Sequence, residues 1–300
     1  MMAIRYNDLD DRELMYGQKS CPGCGATIAV RLALKILGER TFLCTPACCV
    51  AAVTSVYPQM SFFVNNVVTA FPATGATLAG MAAAAEMQGL EDVTILGVAG
   101  DGGTADIGLQ ALSGACERND NVLYLCYDNE AYMNTGIQRS SATPYGAWTT
   151  TSPVSEDGTA RGETRIRKNL FDIVAAHRVP YCATASIAYP KDFMEKVAKA
   201  KNVRGARFIH VHAPCPTGWG YPTEKTVEYG RLAVETGLWY LAEYENGKIK
   251  LNLRPGQFKP VEFYLKGQRR FRHLNGEDFN VIEEQRDREW ALLGAKMKQD

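Results

Sequence analysis

Two apolar runs in this sequence end on residues suited to holding an anion and a metal ion. Gly100-Asp101-Gly102-Gly103 follows the run 93–98, and Asp128-Asn129-Glu130 closes the run 122–127. Ligands of parallel sheets bind at the carboxyl ends of strands, where a glycine turn lets the backbone approach a diphosphate and the next helix N-terminus faces the charge. Gly100, Asp101, Gly102 and Gly103 are therefore candidate diphosphate-binding residues. Asp101 and the side-chain oxygen of Asn129, arriving from two adjacent strand ends, are hard oxygen ligands of the kind that suits Mg2+. On its own, Gly-Asp-Gly is more often a tight turn between strand and helix. Its pairing with Asn129, one helix and one strand later, makes the pattern specific.

The cysteines form a second set. Cys21-Pro22-Gly23-Cys24 precedes a helical pattern, Cys44, Cys48 and Cys49 follow, and Cys215 stands in Ala213-Pro214-Cys215-Pro216. A C-x-x-C turn can offer two thiolates to one centre, and soft thiolates suit a [4Fe–4S] cluster or structural zinc equally. Nine cysteines in a chain whose first 17 residues show no secretory pattern argue against a disulfide framework. Cys116, Cys126 and Cys182 lie in apolar helix or strand patterns and read as core thiols.

These residues need a scaffold, and short apolar runs alternate with helical patterns along the chain. Strands are expected at 41–44, 93–98, 122–127, 181–185 and 208–212, and helices at 26–38, 78–88, 107–117, 170–178 and 191–201. The runs are continuous rather than alternating, as in strands buried on both faces, so the expected fold class is α/β, a parallel sheet with helices on both faces. Residues 145–165, rich in Thr, Ser, Gly and Pro, read as a long loop. Beyond residue 223 come a helix at 227–236, a polar run at 244–259 and a charged helix at 279–298. Residues 1–223 are read as the main domain and 224–300 as a C-terminal extension lying over it or over a neighbour.

Composition narrows the function. The chain is 46% hydrophobic and 22% charged, as globular proteins are, and Lys+Arg and Asp+Glu both number 33. Zero net charge implies no general attraction to nucleic acid or to an acidic membrane. No apolar run is long enough to span a bilayer, and a cytosolic location is expected. His210 and His212 alternate on one strand and read as a packed or hydrogen-bonded pair. Arg139, beside Ser140 and Ser141, either meets an anion or anchors its loop. The basic run Arg269-Arg270-Phe271-Arg272-His273 reads as a solvated or subunit-contacting face.

With these residues placed, the chain resembles the β subunits of multi-subunit pyruvate:ferredoxin oxidoreductases and their 2-oxoacid relatives, which use thiamine diphosphate. The likeness covers most of the chain and is densest at 21–25, 100–108, 126–136 and 213–218. It implies that Cys21, Cys24, Cys49 and Cys215 hold a [4Fe–4S] cluster. Asp101, Asn129 and the Ala131 carbonyl would hold Mg2+, with Asn134 and Thr135 beside the thiazolium and the oxoacid as cofactor-binding and catalytic residues. The implied reaction is oxidative decarboxylation of a 2-oxoacid, pyruvate first, to acyl-CoA and CO2, with electrons leaving singly through the cluster. The chain has no ferredoxin-like cysteine run and no evident second thiamine-binding half. The resemblance therefore implies an α subunit supplying the pyrimidine-binding domain, γ and ferredoxin-like δ subunits, external ferredoxin and coenzyme A, and a chain inactive alone.

Two departures carry information. Pro46-Ala47-Cys48-Cys49-Val50-Ala51 stands where many relatives read Pro-Thr-Gly-Cys-x-Glu, which makes Cys48 a competitor of Cys49. Met60, Phe62 and Phe63 stand where many pyruvate- and oxalate-using relatives carry a Trp-containing segment. An enlarged pocket for a branched-chain or aryl oxoacid, such as 2-oxoisovalerate, indolepyruvate or phenylglyoxylate, is the expectation that competes with pyruvate or oxalate. From other classes, a zinc-stabilised noncatalytic assembly subunit would contain no iron or sulfide. A nonredox thiamine decarboxylase or carboligase would carry both thiamine-binding halves in one chain.

Overall fold

The computed structural model describes residues 4, 6, 9 and 11–298, so part of the 1–17 segment lies outside the described residues. In chain order the first elements are α1 (Gly25–Leu37), β1 (Thr41–Pro46), α2 (Cys49–Thr54), the short hairpin β2 (Ser55–Val56) and β3 (Gln59–Met60), and β4 (Asn65–Thr69). α3 (Thr74–Met87), β5 (Thr94–Gly100), α4 (Leu109–Glu117) and β6 (Leu123–Asp128) follow. After a long loop come α5 (Leu170–Ala175), β7 (Tyr181–Ser186), α6 (Pro190–Asn202), β8 (Arg207–His212) and α7 (Pro216–Trp219). The chain continues through α8 (Thr226–Glu235), β9 (Leu241–Glu245), β10 (Lys248–Leu253), α9 (Glu262–Leu265) and α10 (Gly276–Lys296).

Among the described residues, eight strands form one sheet in the order β10-β9-β7-β8-β6-β5-β1-β4. β4 through β7 across this order pair in parallel, while β9 joins β7 antiparallel and β10 joins β9 antiparallel. The continuous apolar runs follow from burial on both sides. Along β6, Leu123, Leu125 and Tyr127 face a layer made by α1 and α6, while Tyr124 and Cys126 face a layer made by α3, α4 and α5. α1 earns its place with Ala26, Ala29, Val30, Ala33, Leu34 and Leu37, an apolar stripe at helical spacing. The expected α/β class, with helices on both faces, is what the structure has.

Edge strands are where sequence and structure part. β4 pairs in parallel with β1 through Phe42 and Asn65, yet most of it is exposed, so its pattern lacks the apolar density of a central strand. β10 lies inside the polar run expected at 244–259, with Lys248, Lys250 and Asn252 on a solvated edge. The segment after 223 thus adds two strands to the sheet. It also builds, around Trp219, a third aromatic core of Tyr229, Trp239, Tyr264, Phe271 and Phe279. α10 starts on a capping box, in which Asn275 accepts from the Asp278 N–H and the Asp278 side chain accepts from the Asn275 N–H.

Candidate cofactor and thiolate site

A cleft of about 330 Å3 opens at the carboxyl ends of β1, β5 and β6. Its walls include Gly100, Asp101, Gly102, Gly103, Asn129, Ala131, Asn134 and Thr135, the full set of expected cofactor-binding residues, together with Cys48 and Cys49. The chain leaves β5 through Asp101 and Gly102 into a π-helical turn, Gly103–Ile107, before α4 begins. Such a widened turn frees backbone groups next to a ligand. Gly102 is required there by close approach, since a Cβ would meet the Tyr132 ring at 2.7 Å. Asn134 and Thr135 sit exposed at the rim, on a turn closed by backbone bonds between Tyr132 and Gln138.

The oxygens at the base of the cleft fit a cation. One polar atom of the Asn129 amide lies 3.0 Å from both Asp101 Oδ1 and the Ala131 carbonyl oxygen. As an NH2 group it would donate to both. As the side-chain oxygen it makes three acceptors converge, an arrangement that only a positive ion between them reconciles. Asp101 is 0% exposed and accepts from the Ser140 hydroxyl at 2.5 Å and the Asn129 N–H at 3.4 Å. Burial, and then the charge of Asp128, push its carboxyl well above the usual range, while Ser140 only partly offsets them. A divalent ion would supply the missing positive charge.

The thiols gather beside this base. Cys24 caps α1, and its N–H donates to the Cys21 carbonyl at 3.1 Å, closing the C-x-x-C turn. Gly25 then packs so tightly on Ala213 and Pro214 that a Cβ would fall 2.7 Å from the Ala213 carbonyl carbon, which draws Cys24 toward Cys215. Burial pushes the Cys215 thiol up to about 11, and the Cys24 and Cys21 charges add to it although the Gly218 N–H opposes. Cys49 is raised by burial and then by Cys48, Cys215, Cys24 and Asp101. Cys49 thus neighbours Cys48, Cys215 and Cys24, and Cys215 neighbours Cys24 and Cys21. Cys48 lies near the Tyr127 hydroxyl, and Cys44 lies in the layer under α3. Cys116, Cys126 and Cys182 are buried there too, as core thiols. Among the described residues no three His, Cys, Asp or Glu side chains converge on a single-ion site.

Comparison with known proteins bears on this geometry. Residues 46–211 match the family described as thiamine pyrophosphate enzyme, C-terminal TPP binding domain. The chain is 54% identical over 275 residues to pyruvate synthase subunit PorB of Methanothermobacter thermautotrophicus, covering 92% of this chain and 95% of the relative. It is 49% identical over 286 residues to ketoisovalerate oxidoreductase subunit VorB of Pyrococcus furiosus, covering 92% and 91%. This chain belongs to the β-subunit family of 2-oxoacid:ferredoxin oxidoreductases. A solved 2-oxoglutarate:ferredoxin oxidoreductase from Magnetococcus marinus shares the fold, with a TM-score of 0.56, 20% identity, and coverage of 77% of this chain and 81% of that one. The residues walling the cleft, from Ala47 to Thr135, all fall within the span matched to the thiamine-pyrophosphate-binding family.

In this family member, several sequence expectations meet behind the cleft. The basic run does not lie wholly in solvent: Arg270 is buried, and its Nη2 donates to Glu130 Oε2 at 2.5 Å, while Arg269 and Arg272 stay exposed. The run looked solvated because its partner lies 140 residues away. Burial alone would raise the Glu130 carboxyl, but Arg270, His212 and Arg167 outweigh it and hold it well below the usual carboxylate range. His210 shares a 2.8 Å hydrogen bond with Asp128 and His212 lies beside Glu130, so the histidines are the hydrogen-bonded, packed pair expected. Arg139 anchors its loop through Glu163 at 2.6 Å. A second cavity, about 130 Å3, is lined by Glu130, Arg167, His210, His212 and Trp239 and contains none of the diphosphate residues.

Within this chain the three residues of the enlarged-pocket expectation stand away from the cleft wall. Met60 is 57% exposed on the β2–β3 hairpin, and Phe63, 45% exposed, stacks on Tyr16 with centroids 4.3 Å apart. Phe62 packs against the α1 layer, and none of the three lines the cleft, whose wall there is Ser55 and Val56. Sequence reasoning missed Trp219, and it did not foresee that Ser140 would meet Asp101. Asp128-Asn129-Glu130 was visible as a motif, but which way Glu130 turned was not.

Proposed function

We propose that this chain binds thiamine diphosphate through Mg2+ held by Asp101, Asn129 and Ala131, carries a [4Fe–4S] cluster on Cys21, Cys24, Cys49 and Cys215, and acts on pyruvate. The observation that carries this reading is that one polar atom of the Asn129 amide meets Asp101 Oδ1 and the Ala131 carbonyl oxygen, 3.0 Å from each, in a cleft walled by Cys49. Bound thiamine diphosphate supplies a carbon that accepts the oxoacid and stabilises the charge left by departing CO2. The residues of this chain do the rest. Gly100, Gly102 and Gly103 let backbone reach the diphosphate, and Asp101, with Asn129, neutralises it through the metal. Asn134 and Thr135 at the rim would orient the oxoacid, and Cys49 in the cleft wall would bring a cluster held by the four thiolates beside the cofactor, where it would take electrons singly. Pyruvate is favoured by the PorB relatives, and 2-oxoisovalerate, favoured by the VorB relatives, is the alternative.

The relatives are named as subunits, in keeping with an assembly. The proposed partners are an α subunit completing the pyrimidine side, γ and ferredoxin-like δ subunits, ferredoxin and coenzyme A, with 224–300 as a contact segment. Exposed Val56, Tyr57, Met60, Val67 and Val68 beside the cleft give an α subunit an apolar seat. All nine cysteines are free thiols, which suits the reducing cytoplasm. The test is the purified assembly: iron and sulfide content, Mg2+-dependent thiamine diphosphate binding, and kcat/KM for pyruvate against 2-oxoisovalerate. Asp101→Ala should abolish metal-dependent cofactor binding and keep the iron. Zinc without iron, or tight cofactor binding by Asp101→Ala, overturns the reading.

A further inference from the structure

Glu130 stands between Asn129 and Ala131, which present oxygens to the metal position, yet its carboxylate lines the second cavity and not the cofactor cleft. Its φ is +65°, a left-handed conformation that side-chain-bearing residues avoid unless something holds it. Several groups do. Arg270 Nη2 donates to Oε2 at 2.5 Å and Arg167 Nη1 to Oε1 at 3.2 Å. The Glu130 N–H donates to Asp128 Oδ1 at 2.9 Å, and the Thr143 hydroxyl donates to the Glu130 carbonyl at 2.7 Å. Trp219 Nε1 donates to the Asn129 carbonyl at 2.9 Å, and the Arg270 guanidinium lies 3.9 Å from the centroid of that same indole. One arginine from the segment after 223 therefore clamps both the Glu130 carboxylate and the ring that holds Asn129.

We propose that Glu130 and Arg270 are positioning residues for the metal. Their ion pair keeps the 129–131 turn rotated so that the Asn129 side chain and the Ala131 carbonyl face Asp101. The C-terminal segment thereby sets the Mg2+ affinity of a site whose ligands it does not supply. The inference rests on the reading of the cleft as a Mg2+-diphosphate site. Breaking this buried, stacked pair leaves Glu130 Oε2 without its partner, with Arg167 still on Oε1, and frees the turn to relax toward ordinary backbone angles.

The test uses the assembled complex and reads the Mg2+ concentration giving half-maximal thiamine diphosphate binding, followed by tryptophan quenching, with iron content and Tm measured alongside. Arg270→Gln should raise that concentration by about ten-fold to a hundred-fold, the usual effect of losing a partner behind a metal ligand. Iron should stay unchanged, and saturating Mg2+ should restore binding. Arg270→Lys, which keeps the charge but loses the fork and the stacking, should fall between. Should Arg270→Gln fail to fold, Trp219→Phe keeps the ring, removes only the N–H to Asn129, and should raise half-saturating Mg2+ by about three-fold or more. A folded variant with lower Tm but unchanged half-saturating Mg2+ reduces the clamp to ordinary packing and overturns the inference. If the wild-type complex shows no Mg2+-dependent binding, the reading of the cleft fails, and the inference falls with it.

Discussion

Gly102 offers a quantitative test of the cleft as a diphosphate cradle. A methyl group at this position would stand 2.7 Å from one Tyr132 ring carbon and 2.8 Å from two others, where ordinary contact begins near 3.4 Å. Something must therefore move by about 0.7 Å. Tyr132 cannot swing away freely: its hydroxyl donates to the Gly102 carbonyl at 3.2 Å, its ring meets Phe71 edge-on, and its backbone pairs with Gln138. Overpacking by one methyl typically costs about 1–3 kcal/mol. Because Tyr132 directly follows Ala131, displacing it moves a proposed metal ligand. If the strain is released in that way, Gly102→Ala should weaken thiamine diphosphate binding by about five-fold to a hundred-fold. Calorimetric titration of Mg2+ and thiamine diphosphate into the complex would measure it. Gly80→Ala is the control: its methyl meets nothing within 4 Å on α3, so it should leave binding alone and add about 1 kcal/mol of helix stability. Wild-type affinity in Gly102→Ala would refute the cradle.

Cys49→Ala should lose most of the iron while Cys48→Ala keeps it, because Cys49 stands at the family's ligand position and has Cys24 and Cys215 as neighbours; full iron in Cys49→Ala would transfer the ligand role elsewhere. Glu243 is raised by burial, but Lys199, Asn252 and Tyr181 outweigh it and bring its carboxyl down from 4.5 to about 2. A depressed carboxyl stabilises the fold above its unfolded value, so Glu243→Gln should cost up to about 3 kcal/mol at neutral pH. That gap should close as pH falls from 4.5 through about 2, and a gap independent of pH in urea unfolding would contradict the ion-pair account. Met60→Ala and Phe63→Ala should change the pyruvate to 2-oxoisovalerate preference by less than about two-fold, since neither lines the cleft. A ten-fold change in the kcat/KM ratio, on the order expected for a pocket contact, would support the enlarged pocket.

How much of this was legible in the sequence depended on how local each cause was. The runs ending at Gly100 and Asp128 are apolar because both faces of β5 and β6 are covered, so the central strands and their site residues could be read directly. β4 and β10 could not, because an edge strand satisfies its pattern half in solvent. The neighbourhood of Cys49 and Cys215 depends on β1 and β8 being held in one sheet, which spacing alone does not encode. Arg270 shows the limit most clearly. A basic run is ordinarily solvated, and only the tertiary meeting with Glu130 and Trp219 makes this one arginine a buried partner.

α2 begins with Cys49 and, two residues on, lines the cofactor cleft with Ala51 and Ala52, while Val50 between them packs into the layer under α1. Six residues leave no slack for the two jobs to vary separately. A substitution that reshapes the cleft wall rotates the thiol, and one that adjusts the thiol reshapes the wall. The two properties are therefore inherited as linked traits. A chimera with a relative must exchange this helix and the hairpin after it as one block, and a descendant that abandons one centre while keeping α2 is released from constraint on the other.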